Sequence, residues 1–352
     1  MKDHMNNIMT DNNPAAPSQS RGARVLKAIA LVAALCLLFN VVQATLVLKS
    51  SPSSGPAYGL YHGYADDTEY LFLGSSQIYH TIDAPLLTDE YHLPSYCFSA
   101  AGQPIVFTEL YLTEFCKYVK PGYVFVDVGT ACKETAALDE PGLIRSYAPI
   151  RASADKFRLL YAINGGDWEK AFFDCYLPIV SYHYRWEWLT VKDIGYSLLP
   201  VVELVKDMPF ARDIGPIREA TRIFIQSRGF FGQEGIQPLS MKYGLDEDEE
   251  REIPRENADA MRAMASFCKE NGIELMFIKT PSPQWTKGQQ REVEALCAEL
   301  DVPYLDMHEH LDEIGIDAET DFLDPNHVNT SGAEKVTRYM AEVMLNAEGL
   351  RG

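Results

Sequence analysis

Two short blocks near opposite ends of the chain carry the residue types that acyl chemistry needs. The first is Gly74-Ser75-Ser76-Gln77, which follows the apolar run Glu69-Tyr70-Leu71-Phe72-Leu73-Gly74. A serine in a tight strand-to-helix turn has its hydroxyl pushed outward, and its backbone N–H at the helix start can face a developing oxyanion. The second is Asp324-Pro325-Asn326-His327. A carboxylate three residues before an imidazole, on a Pro-bent loop, can reach Nδ1–H and leave Nε2 for a hydroxyl. Serine is a weak nucleophile at neutral pH and needs such a base, held in turn by a third group. The expected roles are Ser76 as nucleophile, His327 as general base and then acid, and Asp324 as the orienting carboxylate. Taken singly, Gly-Ser-Ser is also an ordinary turn and helix cap, and Asp324 and His327 read as turn and cap residues. The order Ser, Asp, His on an α/β sheet is one of several convergent triad orders.

Strands alternating with helices must bring these blocks together. Glu69 to Gly74 reads as a buried strand, with a helix beginning within Ser75 to Leu87. Tyr96 to Phe98 is a second strand, running into Ser99-Ala100-Ala101-Gly102-Gln103, and Phe107 to Tyr118 has helical spacing. Tyr123 to Gly129 is a β-branched run of the kind buried in parallel sheets. Later come a helix over Ala258 to Glu270 stopped by Asn271-Gly272, a strand over Leu275 to Ile278 and a helix over Glu292 to Leu300. A short strand over Val302 to Leu305, a loop over Asp324 to Thr330 and a closing helix over Gly332 to Leu345 complete the pattern. Such alternation predicts a doubly wound α/β sheet with right-handed crossovers, which binds ligands at the carboxyl ends of its strands. Residues from about 150 to 255 break the alternation. Aromatic-rich over Phe172 to Trp188 and helical over Ile194 to Lys206, they read as an insertion over the sheet or the site mouth, or as peripheral helices.

Together the two blocks resemble the SGNH hydrolase superfamily, also called GDSL esterases. Gly74-Ser75-Ser76 matches the family's Gly-Asp-Ser block, which makes Ser76 the nucleophile, and Asp324 with His327 matches its Asp-x-x-His block. Gly102 stands where the family's second block gives a glycine N–H to the oxyanion hole. The resemblance implies a flavodoxin-like three-layer sheet, here over residues 67–352, and Ser-His-Asp ester chemistry without a cofactor. Ser75 replaces the usual Asp, and Gly129-Thr130-Ala131-Cys132 stands where Gly-x-Asn-Asp belongs. The oxyanion hole then consists of Ser76, Gly102 and, as a substitute donor, the Thr130 hydroxyl, whose other reading is a turn or cap residue. A lost donor costs a few kcal/mol in the transition state, so slow turnover or transfer to a bound acceptor is expected. Ser181-Tyr182-His183-Tyr184-Arg185-Trp186 and Arg228-Gly229-Phe230 resemble a recurring element of a membrane-anchored bacterial envelope branch, which includes lipoteichoic-acid D-alanylation and alginate-type O-acetylation proteins. Gln103, His183 and Arg185 are expected at the substrate, although an aromatic-packed structural pair is the alternative for the last two.

The flanking chain places the domain. Ala28 to Leu48 is almost continuously apolar, about the length that crosses a bilayer. Arg21, Arg24 and Lys27 precede it and only Lys49 closely follows, which puts the N-terminus in the cytoplasm and the domain outside. The expected organisation is a disordered tail over 1–22, a membrane anchor over 23–48 and a Ser/Pro/Gly-rich tether over 49–66. Alternatively, Val42-Gln43-Ala44 is the cleavage site of a signal peptide. The net charge of −19 argues against nucleic acid as a partner. The expected partners are an acylated envelope polymer and a multi-pass membrane acyltransferase. Asp246 to Glu250 lacks calcium-loop spacing, His308 and His310 read as exposed, and the cysteines lack zinc spacing, so no metal is expected. Six cysteines outside the apolar segment stand either as disulfides or as buried thiols, and Cys132 shows no sign of activation. Lys279 and Ser282 follow a strand and read as loop-shaping residues. A small-ester or lipid esterase, and a catalytically weak glycan-binding or scaffold protein, remain as alternatives.

Overall fold

The computed structural model describes residues 21–46, 51–182, 226–237 and 251–349. Helix α1 (Arg21–Leu46) includes a stretch over Arg21–Gln43 long and apolar enough to cross a membrane. It begins at Arg21, within the tail expected to be disordered; residues 1–20 lie outside the described residues. A separate compact unit starts at Ala44.

That unit is an α/β domain. Helix α2 (Ser54–Tyr61) leads into β1 (Tyr70–Gly74), α3 (Ser76–Thr81), α4 (Ala84–Asp89), β2 (Ser95–Ser99), α5 (Ile105–Phe115) and β3 (Tyr123–Asp127). Helices α6 (Glu140–Tyr147), α7 (Ala154–Ile163), α8 (Trp168–Tyr176) and α9 (Pro178–Ser181) follow. The described chain continues with α10 (Arg255–Asn271), β4 (Glu274–Lys279), α11 (Lys287–Leu300), β5 (Tyr304–Asp306) and α12 (Leu311–Ile314). It closes with β6 (Phe322–Asp324), β7 (His327–Val328) and α13 (Thr330–Gly349). Strands β1 to β5 form one parallel sheet in the order β2-β1-β3-β4-β5. This is the flavodoxin-type order, with its switch point between β1 and β3.

Alternation along the strands builds a core on each face. Leu71, Leu73, Tyr96, Phe98, Val124, Val126 and Phe277 join one cluster with residues of α5, α10 and α11. Tyr70, Phe72, Cys97, Phe125 and Ile278 join the other with residues of α3, α4 and α13. Cross-strand aromatic stacking pins the register: Tyr70 on Tyr123 at 5.0 Å and Phe72 on Phe125 at 4.8 Å between centroids. Helix α10 stops at Gly272, as its sequence predicts, because Gly272 takes the left-handed conformation at φ 64°.

Two expectations change, and a third is refined. The segment expected to be a tether contains α2, whose Pro56, Ala57 and Leu60 are buried and whose Pro56 carbonyl accepts the Tyr96 hydroxyl at 2.8 Å. Its Ser, Pro and Gly content misled because small residues also permit close packing. A helix does begin within Ser75 to Leu87, at Ser76, but it stops at Thr81, and a second helix follows where Asp83 turns to cap α4 through Leu86 N–H. The Asp324 to Thr330 loop contains a hairpin turn: β6 and β7 pair antiparallel, with Asp324 opposite His327. Pro325 and Asn326 occupy the turn. All seven cysteines are free thiols.

Residues 228–237 form a strap that touches β2, α3 and the segments around the β6–β7 hairpin. The Arg228 carbonyl accepts Cys97 N–H at 2.9 Å, extending the edge beside β2, and the Arg228 guanidinium pairs with Asp67 at 2.8 Å. Phe231 N–H donates to the Tyr79 carbonyl of α3 at 2.6 Å. Farther along, Gln233 O accepts Thr330 N–H at 3.0 Å, and Gln237 N–H donates to Phe322 O at 2.9 Å. Gly229, at φ 84°, lies so close to the edge that a Cβ would overlap the Cys97 carbonyl oxygen. Gly229→Ala is therefore expected to destabilise the domain by at least about 2 kcal/mol, from left-handed strain plus a steric clash. Thermal unfolding followed by circular dichroism measures this; a loss below about 0.5 kcal/mol, the scale of ordinary surface substitutions, would show that the strap carries no stability.

Candidate active site

Parallel pairing brings the polar residues to one edge of the sheet. Gly74 is in register with Ser99, Leu73 with Val126, and Asp127 with Ile278. The segments after β1, β2, β3 and β4 thus leave the sheet side by side. Ser75 caps α3 by accepting Gln77 N–H, which fixes the turn that presents Ser76. Gly74, at φ 149°, is the hinge of that turn; a Cβ there would press on Asp127 and Ile78.

His327 Nε2 lies 2.8 Å from Ser76 Oγ. On the ring's other side, Nδ1 lies 2.8 Å from Asp324 Oδ2 and 3.0 Å from Oδ1. A carboxylate only accepts, so Nδ1 carries the proton toward Asp324 and Nε2 is left to accept from the serine hydroxyl. Asp324 Oδ1 also accepts the N–H groups of Asn326 at 2.7 Å and His327 at 3.1 Å. Burial alone would raise this carboxyl; hydrogen bonds from the His327 ring and the Asn326 N–H outweigh it and hold the group below its usual range. All three side chains are partly exposed. Such an arrangement can take a proton from a hydroxyl and return it to a leaving group.

The hairpin is fixed from beneath. Asn329 Nδ2 donates to the carbonyls of Thr320 at 2.7 Å and Gly235 at 2.8 Å, and its Oδ1 accepts Gly332 N–H at 3.1 Å. Buried Asp321 pairs with Lys335 at 2.6 Å and accepts Asp317 N–H at 2.7 Å.

Two residues of α3 adjoin Ser76 without having been singled out from sequence. The Tyr79 phenol follows Ser76 by one helical turn. Burial pushes it up to about 12, against a smaller lowering from the Ser76 side chain, so it stays a neutral donor. His80 packs edge-on against the His327 ring at 4.7 Å and bonds the Phe231 carbonyl through Nδ1 at 2.7 Å. Burial, then repulsion from His327, lowers it to about 4 despite the Phe231 carbonyl and Asp324. The helical spacing of Ser76, Tyr79 and His80 is visible in the sequence, but it is equally the spacing of a buried helix face.

Not every expected residue converges. The Thr130 hydroxyl donates to the Gln103 carbonyl at 2.9 Å, so the proton it was to offer an oxyanion is engaged elsewhere. Gln103 is fully buried, its Nε2 donating to Thr108 at 2.9 Å; this side chain belongs to the start of α5 and cannot touch a substrate. Gly102 sits exposed in the turn after β2 with φ 67°, and neighbouring Ala101 lines a cavity. His183 and Arg185 lie outside the described residues, as does the acidic run 246–250. His308 is buried rather than exposed. Its Nδ1 bonds Asp306 at 2.8 Å and its Nε2 faces the Ser282 backbone, so it ties β5 to the loop after β4. Among the described residues, no three His, Cys, Asp or Glu side chains converge as a metal site.

A cavity of about 1150 Å³ opens beside α3. Tyr79, Ala101, Ile144, Arg145, Phe173 and Val180 are among its walls, so the described part of the expected insertion, through Phe173 and Val180, shares a cavity with Tyr79 of α3. No model of a known protein family matches this chain, and no curated protein matches it either.

His80 gives the site an acid sensitivity. With a native value near 4 against an ordinary 6.5, the unfolded chain takes up a proton that the native chain refuses across that interval. Stability is therefore complete above 6.5 and falls as the pH drops toward 4. Below that, protonation of Asp324 adds to the loss, because its native value is depressed. His80→Asn, which keeps a donor for the Phe231 carbonyl, should flatten the pH 4–6.5 part of a calorimetric Tm profile. An unchanged slope would assign the acid loss to other groups.

Proposed function

We propose that this chain is an SGNH-type serine acyl-ester enzyme, working as an O-acyltransferase or esterase on an acylated cell-envelope glycan or teichoic-type polymer. The observation that carries this reading is the continuous hydrogen-bonded line from Asp324 through His327 to Ser76. Ser76 Oγ attacks the acyl carbonyl carbon while His327 Nε2 takes the hydroxyl proton. Asp324 stabilises the imidazolium, and His327 passes the proton to the departing alkoxide. Water or an acceptor hydroxyl then resolves the acyl-serine by the reverse sequence. The Ser76 N–H stands at the first position of α3, where helix N–H groups lack intrahelical partners, and it serves as one oxyanion donor. The Gly102 N–H, in the turn after the neighbouring strand, is assigned as another.

The apolar helix α1 supports membrane attachment. Arg21, Arg24 and Lys27 in its N-terminal turns favour a domain outside the membrane, where envelope polymers lie. An integral-membrane acyltransferase supplying acyl groups is the partner this arrangement calls for. One observation favours a second reading, an esterase for lipid or long-chain esters: the cavity beside α3 far exceeds an acetyl group, and Ile144, Phe173 and Val180 give it apolar walls.

A fluorophosphonate probe applied to the full chain in detergent is expected to form one adduct, lost in Ser76→Ala. Asp324→Asn should slow labelling by roughly 10⁴-fold while leaving the fold intact, since the imidazole then adopts the wrong tautomer. Labelling that survives Ser76→Ala would end the proposal. Relative rates on p-nitrophenyl acetate and decanoate separate the two substrate readings.

A further inference from the structure

An oxyanion formed at Ser76 needs more than one N–H aimed at it. The Thr130 hydroxyl is committed to the Gln103 carbonyl. The side chain next to Ser76 in sequence, Gln77, is differently placed. Its Oε1 accepts from Lys279 Nζ at 3.1 Å. Lys279 is the last residue of β4, 1% exposed; its ammonium also donates to the Thr280 carbonyl and lies 5.4 Å from the centre of the Trp285 ring. An ammonium has three donors and no acceptor, so it fixes which end of the amide it faces. The opposite end, Nε2, points to the Asn326 carbonyl at 3.4 Å, beside His327. That distance is at the long limit for a hydrogen bond, and an amide nitrogen has a second N–H besides.

Space has been kept for this side chain. A Cβ on Gly129 would overlap Gln77 Oε1, so any other residue there would evict the amide. Gly129's own N–H is held by Asp127 at 3.0 Å. Gln77, Gly129, Lys133, Lys279 and Asn326 border a small polar cavity of about 40 Å³, large enough for water beside the amide.

We infer that the Gln77 side-chain amide, oriented by Lys279, is an oxyanion donor of this site. The inference rests on the acyl-ester reading above. As Ser76 Oγ bonds to the acyl carbon, the carbonyl π pair moves onto oxygen and the serine proton moves to His327. Gln77 Nε2–H then donates to the new oxyanion. Lys279 is a positioning residue: it holds Oε1 away from the reacting carbonyl, and its charge polarises the amide so that the N–H donates more strongly.

Gln77→Glu is the decisive variant, because a carboxylate of the same size pairs with Lys279, keeps the fold and has no N–H to give. With p-nitrophenyl acetate as probe and the full chain in detergent, kcat is expected to fall 10²- to 10³-fold with KM little changed and Tm no lower. Gln77→Met should show the same loss without the added charge. Lys279→Met is expected to lower kcat in the native background and to do nothing further in Gln77→Met, a coupling that a merely structural lysine would not produce. The inference is overturned if Gln77→Glu and Gln77→Met stay within threefold of the native kcat while Ser76→Ala is inactive. Should the native chain show no Ser76-dependent turnover or labelling, the acyl-ester reading itself fails and takes this inference with it.

Discussion

A hydrogen bond of 2.8 Å joins His327 to Ser76, whose positions are 251 residues apart in the chain. A bond of this kind contributes only about 1 kcal/mol net, far less than the ordering entropy of the segments that meet there. The two groups must therefore be delivered by structure that is stable without them. Ser76 is delivered by β1, flanked by a strand on either side, and by the Ser75 cap. His327 comes on a hairpin whose base is held by Asn329, by the Asp321–Lys335 pair and by the strap. Because each support is satisfied by partners other than the serine and the imidazole, the contact is a result of the fold and not one of its props.

The sheet edge that carries the site is stiffened by two buried carboxylates that have partners. Asp127 accepts Thr280 N–H at 3.1 Å and its hydroxyl at 3.0 Å, joining the ends of β3 and β4. Asp306 accepts Trp285 Nε1 at 2.8 Å and the His308 ring, joining β5 to the loop after β4. Unpaired, such carboxylates would be costly in the interior; paired, they fix how the strand ends stand relative to one another. The aliphatic and aromatic clusters on the two faces supply the burial, while these bonds supply the alignment.

Much of this was legible in the residue order. The five sheet strands overlap the expected apolar runs, because a strand buried on both faces is apolar over most of its length. Ser76, Asp324 and His327 were legible because a hydroxyl, an imidazole and a carboxylate at strand ends suit one chemistry. What escaped depended on contacts between distant residues. That Thr130 gives its proton to Gln103, and that Gln103 is buried, follows from how α5 begins beside β3, which no local pattern records. Gln77 stood in the quoted block yet looked inert, since the amide gains its orientation from Lys279, 202 positions later. His308 looked like an exposed histidine until its ring was found bonded at both nitrogens. Packing of α2 was hidden for a different reason: Ser, Pro and Gly serve flexible tethers and tight contacts alike.

Asp324 and His327 face each other across a two-residue turn, so carboxylate and imidazole travel as one rigid body. A shared turn and two hydrogen bonds set the distance between that carboxylate and that imidazole. The spacing left to vary is that between this body and the helix bearing the hydroxyl, a single mechanical coordinate. The strap is fastened at both ends of that coordinate, to Tyr79 and His80 on one side and to Phe322 and Thr330 on the other. Ten residues of backbone thus span the two elements that carry the hydroxyl and the imidazole.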